Sequence, residues 1–343
     1  MFKDILDNVL DSKNLTYEEA ENLMHKLLRG ELSTVQMAGI LTALRAKGET
    51  PEEIYAFAKV MREHGNRVFS DDHTVDTCGT GGDGSMSFNI STAAAFVAAG
   101  AGIRVAKHGN RSVSSKCGSA DVLEALGVNI ELSPERAQDC LKETGMTFLF
   151  APFFHPSMRN VQGARRELGV KTVFNILGPL ANPAGAAGQV LGVYSPALVP
   201  KIAKVLLKLG VKRAFVVHGE GGMDEVTLGG STKVAYLHDD KIDTFTITPE
   251  ELGFKRVGSE VFTGGDAGVN AAIIRNIFAG EKGPKRDIVV LNAAFALVAG
   301  RAVDNIGDGL HLAKRSIDSG RAADILLDVI RFSNNYAPYT KVS

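Results

Sequence analysis

One stretch of nine residues, Asp76-Thr77-Cys78-Gly79-Thr80-Gly81-Gly82-Asp83-Gly84, limits the fold of this chain more than any other. Ahead of it, Thr74 to Thr77 reads as the end of a short strand. Behind it, Ser87-Phe88-Asn89-Ile90-Ser91-Thr92-Ala93-Ala94 opens a helix that an alanine-rich run carries to Ala99. Glycines let a backbone turn, and approach a ligand, where a Cβ would clash. The free N–H groups of the first helical turn, aided by the helix dipole, then face negative charge. Asn89, Ser91 and Thr92 add side-chain donors at the same place. The combination predicts an anion site. Taken alone it is equally a plain strand-to-helix turn, with Asn89 or Ser91 as N-cap.

A chain of 343 residues exceeds one small core, so two domains, or one large α/β domain with an appendage, are expected. At 45% hydrophobic and 22% charged it is globular in composition, and a formal net charge of −1 offers no general basic field for nucleic acid. Cys78, Cys117 and Cys140 lack C-x-x-C spacing, so neither a zinc site nor a disulfide framework is expected. No apolar run reaches membrane-spanning length and no signal-peptide pattern opens the chain. The expectation is a reduced, soluble, cytoplasmic protein.

The first 65 or so residues read as helical throughout. Thr16 with Glu19, Ser33 with Gln36, and Thr50 with Glu53 are helix-start pairs, the last with Pro51 at the first helical position. Each precedes apolar residues at helical spacing, such as Leu23, Leu27 and Leu28, and Gly30 and Gly48 stop the second and third of four short helices. From about residue 72 strands and helices alternate: strands at Ile103 to Ala106, Thr147 to Phe150, Val190 to Tyr194 and Ala214 to His218, helices at Ala120 to Leu126 and after Ser133-Pro134. Alternation of this kind predicts a sheet covered by helices. Residues 155–188 interrupt it and read as a helical excursion, back toward the N-terminal bundle. Lys233 to Leu237 and Asp243 to Ile247 look like an added antiparallel pair, and helices near 267–279, 287–299, 303–318 and 321–332 close the chain.

Three further clusters carry chemistry. Lys107-His108-Gly109-Asn110-Arg111-Ser112-Val113-Ser114-Ser115, followed by Cys117-Gly118-Ser119, places a point charge, hydroxyls and a glycine at a strand's end, which suits a phosphate-rich ligand. In an open α/β sheet it would share the carboxyl edge with the glycine loop. His108 could be a proton carrier or a structural residue, and His218 reads as structural. The loop His218-Gly219-Glu220-Gly221-Gly222-Met223-Asp224-Glu225 offers adjacent carboxylates, which alone would be a solvated turn but beside phosphate loops are plausible Mg²⁺ ligands. Arg165 and Arg166 stand near enough to grip a substrate carboxylate, or else to pair with Glu167 on a helix surface.

These clusters, in this order, resemble the anthranilate phosphoribosyltransferases of tryptophan biosynthesis. The matching stretches are Gly79 to Gly84, Asn89-Ile90-Ser91-Thr92, Lys107 to Ser115, Arg165 through Asn175-Ile176-Leu177-Gly178-Pro179-Leu180-Ala181-Asn182-Pro183, and Met223-Asp224-Glu225. Departures are slight: Ser87 stands where Thr is frequent, and residues 220–223 vary within the family. The resemblance implies a small discontinuous helical domain (1–70, rejoined by about 155–188) and a larger α/β domain (71–154 and 189–343) with a central, mostly parallel sheet, like that of the nucleoside phosphorylases. It implies a homodimer joined through the helical domains. It also implies transfer of the phosphoribosyl group of phosphoribosyl diphosphate to the amine of anthranilate. Carried over by position, Gly79, Gly82, Asp83, Ser87, Asn89, Ile90, Ser91, Thr92, Lys107, His108, Gly109, Asn110, Arg111, Ser112, Val113, Ser114, Ser115 and Ser119 would bind the diphosphate substrate. Ser91, Asp224 and Glu225 would hold two Mg²⁺ ions, and Gly79, Asn110 and Arg165 would contact anthranilate with His108 nearby. Lys107, His108 and Arg165 are the candidates for a direct part in the reaction.

Two rivals follow from the same residues. A nucleoside phosphorylase would take inorganic phosphate where the diphosphate sits and would cleave thymidine or uridine. A non-catalytic, nucleic-acid-binding relative would want a basic surface and could dispense with Asp224-Glu225.

Overall fold

The computed structural model of the chain describes residues 2–71, 73–112 and 116–335. Four helices come first: α1 (Phe2–Leu10), α2 (Tyr17–Arg29), α3 (Thr34–Lys47) and α4 (Pro51–Glu63). All three expected start pairs form complete capping boxes, with Thr16, Ser33 and Thr50 each accepting from the third residue on and that residue's side chain reaching back. At α4 the capping Glu53 does more. Its carboxylate is fully buried, accepts from Leu15 N (2.8 Å) and Thr50 N (2.8 Å), and pairs with Lys47 Nζ at 2.8 Å.

The alternating part follows in the expected order: β1 (Val75–Gly79), α5 (Ile90–Gly100), β2 (Val105–Gly109), α6 (Ser119–Leu126), α7 (Pro134–Thr144) and β3 (Met146–Phe150). A single turn, α8 (Ala151–Phe154), follows β3, and the excursion itself is helical, as its lack of a strand pattern predicts: α9 (Arg159–Leu168) and α10 (Phe174–Leu180). Then come β4 (Gly188–Gly192), α11 (Leu198–Lys208), β5 (Arg213–Gly219), β6 (Thr232–His238) and β7 (Lys241–Ile247). The chain closes with α12 (Ala267–Phe278), α13 (Pro284–Ala299), α14 (Ile306–Asp318) and α15 (Arg321–Asn334). Two starts differ from expectation. Helix α13 begins at Pro284 rather than near 287, because proline's fixed φ suits a first helical position; α14 waits until after Asn305, whose Oδ1 accepts from Asp308 N at 2.9 Å.

Among the described residues the seven strands form one sheet in the order β3-β2-β1-β4-β5-β6-β7. Strands β1 to β5 run parallel, and β6 and β7 are the expected antiparallel addition. Strand order reverses at β1, whose neighbours are β2 on one side and β4 on the other. In open α/β sheets the crevice beyond the carboxyl ends at such a reversal is where ligands bind. The glycine loop leaves from this point.

Helices α5 and α13 cover one face of the sheet, and α13 is buried almost all round. On the other face, α11 lies over β5 and β6 and packs in turn on α4. Helix α9 packs on α2 and α3, and α10 on α4, so residues of the excursion such as Val161, Phe174 and Leu177 share an apolar cluster with Leu23, Ile40 and Phe57. That cluster continues through α11 to Leu191 and Val216 of the sheet. No helix among the described residues is long and apolar enough to cross a membrane, and Cys78, Cys117 and Cys140 form no disulfide there.

Candidate active site at the carboxyl edge of the sheet

The glycine loop turns as its composition requires: Gly81, Gly82 and Gly84 have φ of 65°, 66° and 77°, a region that side chains disfavour. Gly79 serves a different purpose. A Cβ there would stand 2.3 Å from Asp224 Oδ2, and one at Gly192, at the end of β4, only 1.5 Å from the Asp224 carbonyl oxygen. Bare backbone at the ends of two adjacent strands is therefore what lets the acidic loop lie against the sheet edge. There Gly81 N–H donates to Asp224 Oδ2 (2.7 Å), and Ser91 N–H, in the first turn of α5, donates to Glu225 Oε1 (3.2 Å). Asp224 N–H reaches Asp83 Oδ2 at 3.4 Å, which brings a third carboxylate alongside.

Asp224 and Glu225 are each 8% exposed. Burial, then the Asp83 charge, pushes the Asp224 carboxyl up to about 7; burial, then Asp224, holds Glu225 well above the usual carboxylate range. Clustered, desolvated negative charge of this kind favours a cation. Among the described residues no group of three or more His, Cys, Asp and Glu is arranged as a closed metal cage. An open carboxylate pair that leaves its other positions to water and phosphate oxygens suits Mg²⁺ rather than a structural transition metal.

Lys107, on β2, is only 2% exposed. Its ammonium donates to the Thr77 carbonyl and, at 3.3 Å, to Ser91 Oγ, so the charge sits beneath the start of α5, close enough to act on Glu225 and Asp76. His108 N–H is held by Asp76 Oδ1 (3.3 Å), and the ring donates from Nδ1 to the Gly178 carbonyl of α10 (3.1 Å). Its Nε2 is buried without a partner among the described residues, and its ring meets His155 edge-on at 5.2 Å between centroids. Burial, then His155, lowers the His108 pKa to about 3, so Nε2 is a neutral acceptor.

The remaining expected residues divide. Asn89 is the N-cap of α5 but makes no side-chain cap bond; its Nδ2 donates to the Cys117 carbonyl (3.3 Å), joining the start of α5 to the loop before α6. The Ile90 side chain belongs to the core, and Thr92 is buried. Ser87 bridges to Thr263 on a loop before α12. A cavity opens here between Ser87, Cys117, Gly264 and Asn270. Asp121 organises the second loop, accepting from Ser112 N (3.1 Å) and Gly118 N (2.8 Å). Asn110 accepts through its carbonyl from Ser119 Oγ (3.3 Å), and a Cβ at Gly109 would strike that hydroxyl. Arg111 is committed to Asp121 and Glu124. Val113, Ser114 and Ser115 lie outside the described residues.

Arg165, on α9, packs its guanidinium over the Phe174 ring at 5.2 Å and makes no ion pair among the described residues, Glu167 included. Burial lowers its pKa. Several residues at this edge have no local sequence signal. Lys171 donates to the Gly82 carbonyl (2.5 Å) and lies 4.0 Å from the Tyr194 ring, while Arg45 of α3 donates to the Lys171 carbonyl (2.6 Å). His155 and Asn270 are likewise set only by tertiary packing. His218, which the sequence reads as structural, bonds through Nδ1 to the Val193 carbonyl at 2.7 Å.

Residues 71–323 match a family model described as glycosyl transferase family, a/b domain, and residues 3–65 match its helical bundle domain. An anthranilate phosphoribosyltransferase of Acetivibrio thermocellus is 51% identical over 344 aligned positions, covering 100% of both chains. The crystal structure of the corresponding enzyme from Thermus thermophilus superposes with a TM-score of 0.91 at 45% identity, over 96% of this chain and 99% of that one. The Saccharomyces cerevisiae enzyme, in complex with PRPP (phosphoribosyl diphosphate) and Mg, superposes with a TM-score of 0.90 at 28% identity, over 98% of each chain.

Proposed function

The chain belongs to the anthranilate phosphoribosyltransferases, and on that premise we propose that it transfers the phosphoribosyl group of PRPP to the amine of anthranilate, releasing diphosphate, in tryptophan biosynthesis. One observation carries the assignment of the site. Asp224 and Glu225 meet the glycine loop and the first turn of α5 at the reversal point of the sheet.

The diphosphate would lie along Gly79, Gly82, Asp83, Ser87, Asn89 to Thr92, Lys107 to Ser115 and Ser119, met by backbone N–H groups and hydroxyls. Ile90 would contribute its backbone alone, since its side chain is in the core. Two Mg²⁺ ions per subunit would be held by Ser91, Asp224 and Glu225, and when bound they would neutralise charge on the leaving diphosphate. Lys107 adds a fixed positive charge beneath the same place, present before the reaction starts.

Anthranilate would approach from the side of α9 and α10. Arg165, desolvated and without a carboxylate partner among the described residues, suits the substrate carboxylate and so aims the amine. The unpartnered Nε2 of His108 is an acceptor for an N–H of that amine. An aromatic amine is weakly basic and largely unprotonated at neutral pH, so a strong base is dispensable and orientation with electrostatics dominates. The helical unit, 1–70 rejoined by 155–188, closes the site over the α/β part and joins two copies into a homodimer. The three cysteines of the α/β part, Cys78, Cys117 and Cys140, are buried and unbridged among the described residues, which suits the reducing cytoplasm.

A fluorescence assay of anthranilate consumption with PRPP and Mg²⁺ tests the reaction. Asp224→Asn with Glu225→Gln should lower turnover by about 2–4 kcal/mol in transition-state terms, by analogy with loss of an oxyanion donor, and should weaken the Mg²⁺ dependence. Unchanged turnover and Mg²⁺ dependence would refute the metal assignment.

A further inference from the structure

We propose that Asn270, on α12, is a positioning residue for PRPP: it fixes the carboxamide of Asn89 so that an N–H, and not the carbonyl, faces the bound anion. The inference rests on the reading of Asn89 as part of the diphosphate site.

The two ends of an asparagine amide are almost the same shape, so packing cannot choose between them; only the partners can. Asn270 makes that choice. It is 1% exposed, and its own orientation is set because its Oδ1 accepts from Gly265 N at 2.8 Å. Its Nδ2 must therefore point the other way, and it donates to Asn89 Oδ1 at 2.9 Å. The Cys117 thiol lies 3.4 Å from the same oxygen and donates to it as well. Asn89 Oδ1 is thus occupied twice from inside the protein. Its Nδ2 spends one N–H on the Cys117 carbonyl (3.3 Å), which leaves the other for a ligand. Rotated by half a turn, Asn89 would present a carbonyl oxygen to the phosphate and an amino group to Asn270 Nδ2, unfavourable on both sides.

The backbone around this contact is stapled in the same direction. Phe88 N–H donates to the Phe262 carbonyl (2.9 Å), and Gly264 N–H to the Met86 carbonyl (2.9 Å), on either side of the Ser87 to Thr263 bridge. A Cβ on Gly264 would stand 2.6 Å from Asn270 Oδ1 and 2.8 Å from Phe88 Cα. The loop before α12 therefore holds the outgoing end of the glycine loop, and Asn270 carries that hold to the side chain of Asn89.

The test is a double-mutant cycle on the full-length enzyme. Asn270→Leu, close in volume but without a donor, should raise the KM for PRPP about tenfold, with kcat changed less than about threefold and the KM for anthranilate unchanged. Asn89→Ala should raise the same KM, and Asn270→Leu added to it should raise it no further, since the group it orients is gone. A residue that served only the fold would give additive losses, fall on both substrates alike, and lower the melting temperature in both backgrounds. Additive losses, an unchanged KM for PRPP in Asn270→Leu, or an unchanged KM in Asn89→Ala each overturn the proposal. Should Asn270→Leu not fold, Asn270→Ser takes its place in the cycle. Calorimetric titration with PRPP reads the same coupling from binding alone, so a chain that binds PRPP but does not transfer it would refute the proposed reaction and still decide the role of Asn270.

Discussion

At the scale of single residues, burial decides which groups can react. Arg165 and His108 are both desolvated, and among the described residues each keeps an unused function: a guanidinium without a carboxylate, and an imidazole nitrogen without a donor. Arg165→Ala should therefore raise the KM for anthranilate by about tenfold or more, the scale of one charged hydrogen bond, while PRPP affinity stays near normal in a binding titration. Equal loss for both substrates would contradict the assigned role. The histidine pair also predicts a pH response. Burial lowers His155 to about 4 and His108 to about 3, against an ordinary value of 6.5. Below pH 6.5 the unfolded chain takes up these protons and the native state does not, so stability falls as the medium is acidified toward pH 4. At pH 5 each such histidine costs about 2 kcal/mol. His155→Asn, compared with the wild type by urea unfolding at pH 7 and pH 5, should lose about that much of the acid sensitivity. An unchanged difference between the two pH values would mean that His155 is not held neutral.

At the scale of elements, the site depends on what the strand ends lack. Asp224 rests where Gly79 and Gly192 have no side chains. Gly192→Ala puts a Cβ against backbone that cannot rotate away, so it should destabilise by about 3 kcal/mol or more and lower the melting temperature clearly. Gly48→Ala makes a useful contrast, because a Cβ there meets nothing and only its φ of 82° opposes it. A Gly192→Ala protein with wild-type melting and activity would show that the acidic loop does not press on β4. Much of this element-level order was legible in advance. The capping boxes at Thr16, Ser33 and Thr50 join residues three apart, so the pattern that predicts them is also the contact that forms. The glycine loop was legible for the same reason. Its meeting with Asp224 was not, because Gly81 and Asp224 are 143 residues apart and nothing local at Gly192 announces the room they need.

At the scale of the whole molecule, one apolar cluster runs from the N-terminal helices through α9 to α11 and onto the sheet, so the helical part and the rim of the site are mechanically joined. Arg45 of α3 reaches the Lys171 carbonyl and Lys171 the Gly82 carbonyl, a direct line from the bundle to the glycine loop. In that bundle, Leu10 of α1 and Val35 of α3 are 64% and 82% exposed, and the two helices pack together. If these exposed apolar residues join two copies, the wild type should sediment as a dimer and Leu10→Glu with Val35→Glu as a monomer. A wild type that remains monomeric at micromolar concentration would refute the homodimer.

From its sequence alone, this chain determined its elements, their order and the chemical kind of its ligand. Periodicity, caps and glycine-rich turns act between neighbours, and resemblance to a family extended them to named substrates. Only the tertiary structure decided that Lys107 lies under α5 rather than in the open, that Arg165 is clear of Glu167, and that Asn270 faces Asn89. Those outcomes depend on which distant groups arrive at the same place and on what burial does to their charge, and neither can be read from residues a few positions apart.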